Sequence, residues 1–113
     1  MNIDVARLEI DSDRTGPLDQ YGSVWSGRLG TFWTRPVRVP LASLEGLDAK
    51  AISRERLRSV RSATHAGREL PPIEIAISPD GRSGWMVDGN HRLVAARRRG
   101  DRTITVVFTI IGQ

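Results

Sequence analysis

The chain has no cysteine. Disulfide scaffolds, thiolate metal centres and thiol nucleophiles are therefore excluded, and the absence fits a reducing compartment. Long apolar runs are missing too. Nothing approaches the roughly 18–20 residues of a membrane span. The opening "MNIDVARLEIDSD" lacks the basic start and apolar middle of a secretory signal. These features predict a cytoplasmic protein with no membrane attachment. Histidine is limited to His65 and His91, without the arranged carboxylates of a metal site. No Ser-His-Asp order or activated nucleophile is evident. Lysine is nearly absent: of 17 basic residues, all but Lys50 are arginine.

What remains suits one small domain. The chain has 113 residues, 39% of them hydrophobic, enough for a modest core. The charge is uneven. Residues 1–49 hold five Arg against seven acids, and residues 50–113 hold twelve Lys/Arg against six acids, net −2 and +6. Arginine's planar fork suits phosphate. The basic half thus predicts an anionic partner, either nucleotide or nucleic acid or both.

Residues 1–10 alternate loosely (Ile3, Val5, Leu8, Ile10) and read as a short strand. Residues 11–35 mix Gly16, Pro17, Gly22, Gly27 and Gly30 with Tyr21, Trp25, Phe32 and Trp33. Glycine and proline mark a loop, and the aromatics predict that it packs as an arm over the core. A stacking surface for bases is the alternative. "VRVPL" (37–41) reads as a strand. Ser53 is the expected N-cap of a helix over 54–66, with Leu57, Val60 and Thr64 facing the core and Gly67 as its stop. Arg54, Arg58 and Arg61 form a separate stripe, either a solvated face or a phosphate-facing one. His65, near that helix's C-terminus, reads as a partner of the helix dipole. "IEIAI" (73–77) alternates as a strand, "SPDGRSG" turns, and "WMVD" (85–88) returns. A helix over about 90–99 stops at Gly100, and "TITVVFTII" (103–111) is a β-branched strand.

The chemistry gathers in "WMVDGNHRLVAARRRG" (85–100), where a strand ends at Asp88, Gly89 turns and a helix begins near Asn90. The first helical amides have no intrahelical partners and sit at the positive end of the macrodipole, which makes an anion site. Gly89 permits close approach, and Arg92 and His91 can donate to a phosphate. Asn90 can cap the helix or bond a ligand. Asp88 can hold Mg²⁺ or orient a hydroxyl. The competing reading has Asp88 or Asn90 merely capping the helix while His91 and Arg92 pair with local carboxylates.

The run "ELPPIEIAISPDGRSGWMVDGNHRLVAARRRGDRTITVVF", with the preceding "VRVPLASL…ISRERLRSVRSATHAGRELPP", resembles the ParB/sulfiredoxin-like superfamily over residues 37–111. Residues 1–36 are not covered. The resemblance implies an α/β (α+β) fold, a small mixed sheet with packed helices. It also implies a phosphate cradle at the turn, used for CTP in partition proteins, ATP in sulfiredoxins and a nucleotide cofactor in a free serine kinase. "DGNHR" is similar to the "DGHHR" version of the kinase-like members. By that similarity Gly89, Asn90, His91 and Arg92 would contact phosphates, and Asp88 would sit beside the transferred group or its Mg²⁺. Glu45 in "LASLEGL" is the candidate for the glutamate that some kinase-like members use; the competing reading is an exposed loop acid. Sulfiredoxin chemistry needs a cysteine in this turn, where Asn90 and His91 stand. Partition proteins carry a following helix-turn-helix and a dimerisation segment, and with two residues after the last strand here, operator-specific DNA reading and clamp sliding are not expected.

The expectation is therefore an arm (1–36) and a ParB/sulfiredoxin-like domain (37–113) that binds a nucleoside triphosphate, CTP or ATP, at 88–92. Hydrolysis or phosphoryl transfer would use Asp88, His91 and Glu45. Two alternatives stand beside it. One is a DNA-binding or DNA-cleaving accessory protein using Arg54, Arg58, Arg61, Arg97, Arg98 and Arg99. The other is a protein-interaction module with a vestigial site, its partner held by the aromatic arm.

Overall fold

The computed structural model describes residues 1–13 and 32–111. The expected aromatic loop with Tyr21 and Trp25 lies outside them.

Five strands form one mixed sheet. They are β1 (Phe32–Trp33), β2 (Val37–Pro40), β3 (Ile73–Ile77), β4 (Gly84–Asp88) and β5 (Thr103–Ile110). Strand β5 is central because its β-branched run is buried on both faces: Val106, Val107 and Phe108 are all buried. It pairs parallel with β3 (Ile75↔Phe108) and antiparallel with β1 and β2 on its other side. Strand β4 returns antiparallel beside β3 and forms the far margin. The hairpin between them turns at Asp80–Gly81. Gly81 is required there: its φ is +73°, and an added Cβ would lie 1.8 Å from the Ile3 carbonyl oxygen.

Helix α1 (Arg54–His65) begins where expected, with Ser53 Oγ accepting from the Arg56 N–H. It stops one residue earlier than the 54–66 reading. Helix α2 (Asn90–Arg99) matches its expected span and ends at Gly100, φ +73°. The two helices run side by side in the same direction. Ser53 bonds to His91 at their starts, and Thr64 meets Arg99 at their ends. Leu57 of α1 and Leu93, Ala95 and Ala96 of α2 are buried. Leu93 joins the three β3 isoleucines, Val106, Phe108 and Leu44 in the core.

Residues 1–10 do not form the expected strand. Val5–Arg7 is a short 3₁₀ turn, and only Ile10 bridges, to Thr34. The alternation nevertheless has a cause: Ile3 is buried in the main core, and Val5 and Leu8 pack against it. The segment is tied by Asn2 N–H to the Ser43 carbonyl and Ile3 N–H to the Gly81 carbonyl, not by a ladder. On β3, Ala76 is buried along with the isoleucines, although alternation put it on the other face. Leu41, read as the end of β2, opens a 3₁₀ turn (Leu41–Leu44).

Candidate functional site

Strand β4 ends in an irregularity. Glu74 faces Asp88, yet its neighbour Ile75 faces Met86, so β4 carries an extra residue just before the turn. Such bulges re-aim the residue that follows, here Asp88. Gly89 then adopts φ +99°, ψ 25° and is the N-cap of α2, with no side-chain cap bond. Neither Asp88 nor Asn90 therefore caps the helix, as the competing reading held. Glycine is needed at 89 for two reasons. The conformation is left-handed, and a Cβ would come within 2.6 Å of the Ile73 side chain. The close approach that matters in the fold is to β3.

The first intrahelical donor of α2 is Leu93 N–H, to the Gly89 carbonyl at 2.9 Å. The amides of Asn90, His91 and Arg92 precede it and have no partner within the helix. The side chains of that first turn are engaged with the protein. Asn90 Oδ1 accepts from the Lys50 N–H at 2.8 Å, and His91 Nε2 accepts from the Ser53 N–H at 2.8 Å. An accepting Nε2 means a neutral ring with its proton on Nδ1. Together they hold a strap, residues 50–53, across the helix start. Ala51 within the strap has φ +53°, the one non-glycine in that region among the described residues.

Arg92 turns inward. Nη1 donates to the carbonyls of Pro71 and of Pro72 (2.8 Å to the latter), and Nη2 donates to Asp88 Oδ2 at 3.1 Å. Its side chain is only 15% exposed, while that of Asp88 is 70% exposed. Arg92 thus ties the proline entry of β3 to the end of β4, and it also borders the cleft at the turn.

Beside these residues lies a cleft of about 320 Å³. Lys50, Arg56 and Ser59 line it from one side, and Asp88, Gly89, Asn90, His91 and Arg92 from the other. Among the described residues Asp88 is its one carboxylate. Sequence reasoning missed Lys50 and Arg56. Arg56, Ser59 and Val60 fall at i, i+3 and i+4 on α1, a face distinct from the Arg54–Arg58–Arg61 stripe. Only the pairing of the two helices shows that this face meets the turn.

Glu45 is not brought to Asp88. It follows the Leu41–Leu44 turn and lines a different cleft with Arg97 and Asp101, at the far end of α2. The reason is packing. Leu44 and Leu47 are buried, and Arg97 Nη2 donates to both their carbonyls (3.2 and 2.9 Å), which fixes the segment there. The six arginines of the nucleic-acid reading are also divided. Arg58, Arg61 and Arg99 share one cleft, Arg97 is committed to the Leu44–Leu47 turn, and Arg98 and Arg54 are exposed outside that cleft.

No cluster of three or more metal-ligating side chains occurs among the described residues. One ion-paired carboxylate does not hold a resident Mg²⁺. The donor set fits such an ion only as one carried in by phosphates, with Asp88 as a single protein ligand. No helix among the described residues is long and apolar enough to cross a membrane.

The sheet order, the β4–turn–α2 junction and the returning β5 make a small mixed-sheet α+β fold similar to that of sulfiredoxin. The solved structure of sulfiredoxin from Arabidopsis thaliana is similar, with a TM-score of 0.51 and 18% identity over 66% of this chain and 83% of that one. At that identity the likeness is one of fold. No protein-family model matches the sequence, and no curated protein is significantly similar to it. With no cysteine in the chain, thiol chemistry does not accompany the fold.

Proposed function

We propose that the protein is a nucleotide-binding domain that holds phosphates at the start of α2. The carrying observation is the convergence of two helix starts on one cleft. Ser53, the cap of α1, lies 2.8 Å from His91 in the first turn of α2. Both macrodipoles therefore present their positive ends there, next to Lys50 and Arg56. The ligands in this reading are the amides of residues 90–92, the Lys50 ammonium, the Arg56 guanidinium and the Ser59 hydroxyl. Arg92 acts as a positioning residue. Mg²⁺, if carried by CTP or ATP, would neutralise phosphate charge beside Asp88. The geometry favours binding over turnover, because His91 Nε2 is already occupied and Asp88 is paired with Arg92.

The test is thermal unfolding with CTP, ATP and GTP, each with and without Mg²⁺, in the native chain and in Arg56→Ala and Lys50→Glu. A nucleotide at about 100 times its dissociation constant is expected to stabilise the fold by about 2.7 kcal/mol. Arg56→Ala is expected to weaken binding about tenfold, in line with loss of one charge-assisted hydrogen bond. A melting temperature unmoved by millimolar amounts of all three nucleotides overturns the reading.

A further inference from the structure

A second and larger cleft, about 790 Å³, lies at the other end of the helix pair. Its walls carry Arg58, Arg61 and His65 of α1 and Arg99 of α2, with the hydroxyl residues Ser62 and Thr64 between them. The remaining lining residue is Ala66, and among the described residues no acidic side chain lines it. Arg99 is set in place: its Nη2 donates to Asp101 at 2.8 Å, and its Nη1 reaches Thr64 Oγ1 at 3.5 Å. The arrangement continues along α1. Arg54, Arg58, Arg61 and His65 recur at i, i+4, i+7 and i+11 and so share one face. That face extends over about 16 Å at 1.5 Å per residue. The one acid of α1, Glu55, sits in its first turn, at the opposite end from the cleft.

We infer that this cleft and stripe bind the sugar–phosphate backbone of a nucleic acid. The length argues for a partner with many charges. A strand of duplex presents one phosphate per 3.4 Å of axis, so about 16 Å spans several. The composition argues for nucleic acid over an acidic protein. Interfaces between proteins set tryptophan and tyrosine anchors beside their arginines, and among the described residues no tryptophan, tyrosine or phenylalanine lines this surface. Arginine and hydroxyl side chains are the usual donors to phosphate and sugar oxygens. Nothing here is placed to read base edges, so binding is sequence-independent. The surface is separate from the nucleotide cleft and stands whether or not that cleft is filled.

The experiment is fluorescence anisotropy of a fluorescein-labelled 20-base-pair duplex across roughly 50–200 mM salt. The native chain is compared with Arg58→Glu/Arg61→Glu, with Arg58→Gln/Arg61→Gln, and with the control Arg38→Glu/Arg82→Glu, which makes the same charge change at exposed positions elsewhere. Circular dichroism checks the fold of each. The native chain is expected to bind with a log–log salt slope that falls by about 1.8 in the lining variants, at about 0.9 for each phosphate no longer neutralised. Their affinity falls at least tenfold, the control stays within threefold, and the Gln pair keeps the result readable should the Glu pair misfold. Arg56→Ala leaves duplex binding unchanged, which separates this surface from the nucleotide cleft. No binding at 50 mM salt, an equal loss in the control, or displacement by poly-glutamate as readily as by unlabelled duplex each overturns the inference.

Discussion

Replacing Arg92 by Ala removes the donor to two proline carbonyls and leaves Asp88 without its partner. Asp88 is mostly exposed, so that ion pair contributes little. The weight lies with the carbonyls of Pro71 and Pro72, which belong to residues with no N–H of their own to anchor the chain. Hydrogen bonds from a charged donor are worth about 1.5–3 kcal/mol each. Arg92→Ala is expected to cost about 2–4 kcal/mol in urea unfolding, with Arg92→Lys recovering part of it. A change below about 0.5 kcal/mol, ordinary for a surface substitution, would show that the tie is incidental. Gly89→Ala is expected to cost about 1–3 kcal/mol, since the left-handed backbone and the Ile73 side chain both oppose a Cβ. Asp80 gives a pH dependence. The Ser78 hydroxyl donates to its carboxylate, as does the Arg82 N–H, and these hold it below the ordinary aspartate value. A carboxyl depressed in the folded state adds stability above its unfolded value, about pH 4, and loses it as the pH falls through the lower folded value. The difference in urea midpoint between the native chain and Asp80→Asn should therefore be present at pH 7 and shrink in acid below about pH 4. A difference constant down to about pH 2 contradicts the bonding at this turn.

At the scale of elements, the edge strand shows what pattern reading reaches and where it stops. Between Trp33↔Thr109 and Val37↔Val106, four steps on the edge oppose three on β5, so the edge carries an extra residue. Thr34 covers the irregularity. Its N–H donates to the Phe108 carbonyl, and its hydroxyl, in place of a carbonyl, accepts from the Phe108 N–H at 2.9 Å. Thr34 is 1% exposed. Thr34→Val should leave that amide unpaired at a cost of about 1–3 kcal/mol, and Thr34→Ser should keep most of the stability. Hydrogen exchange at Phe108 reads the difference directly; equal protection in Thr34→Val and the native chain contradicts the account. Nothing in the sequence marks Thr34, because its role exists only once β5 lies alongside. The helices, β3 and β4 are legible because caps, periodicity and glycine stops are local. The turn at 88–92 is legible for the same reason. Lys50 and Arg56 are not, since they reach the turn only through the pairing of α1 with α2. The place of Glu45, in a cleft other than that of Asp88, is hidden on the same ground: the burial of Leu44 and Leu47, a tertiary event, decides where it stands.

At the scale of the molecule, the first residues belong to the same core as the sheet. Ile3 is buried with Leu44 and Ile77 in one cluster, and Gly81 admits its backbone at close range. Ile3→Ala is expected to cost about 2–4 kcal/mol in one cooperative transition with an unchanged denaturant slope. A separate early transition would instead show the segment melting by itself. The paired helices divide the charge of the basic half between two ends. Lys50 and Arg56 stand where both helices begin, and Arg58, Arg61 and Arg99 stand toward where they finish. Sequence counting gives the sum and not this partition, which follows from the shared direction of the helices.

The sheet's two margins differ. Along β1 and β2, the Ile10–Thr34 bridge, the extra residue and the amide-less Pro36 and Pro40 interrupt the ladder. Strand β4 at the other side has no proline and a half-exposed Trp85, but its own extra residue at Val87 bends it just before the turn. Fibril growth by strand addition needs every copy to offer a hospitable border on both flanks. Among the described residues the unbroken border is the short run Gly84–Met86 on one flank, so such stacking has no second flank from which to spread.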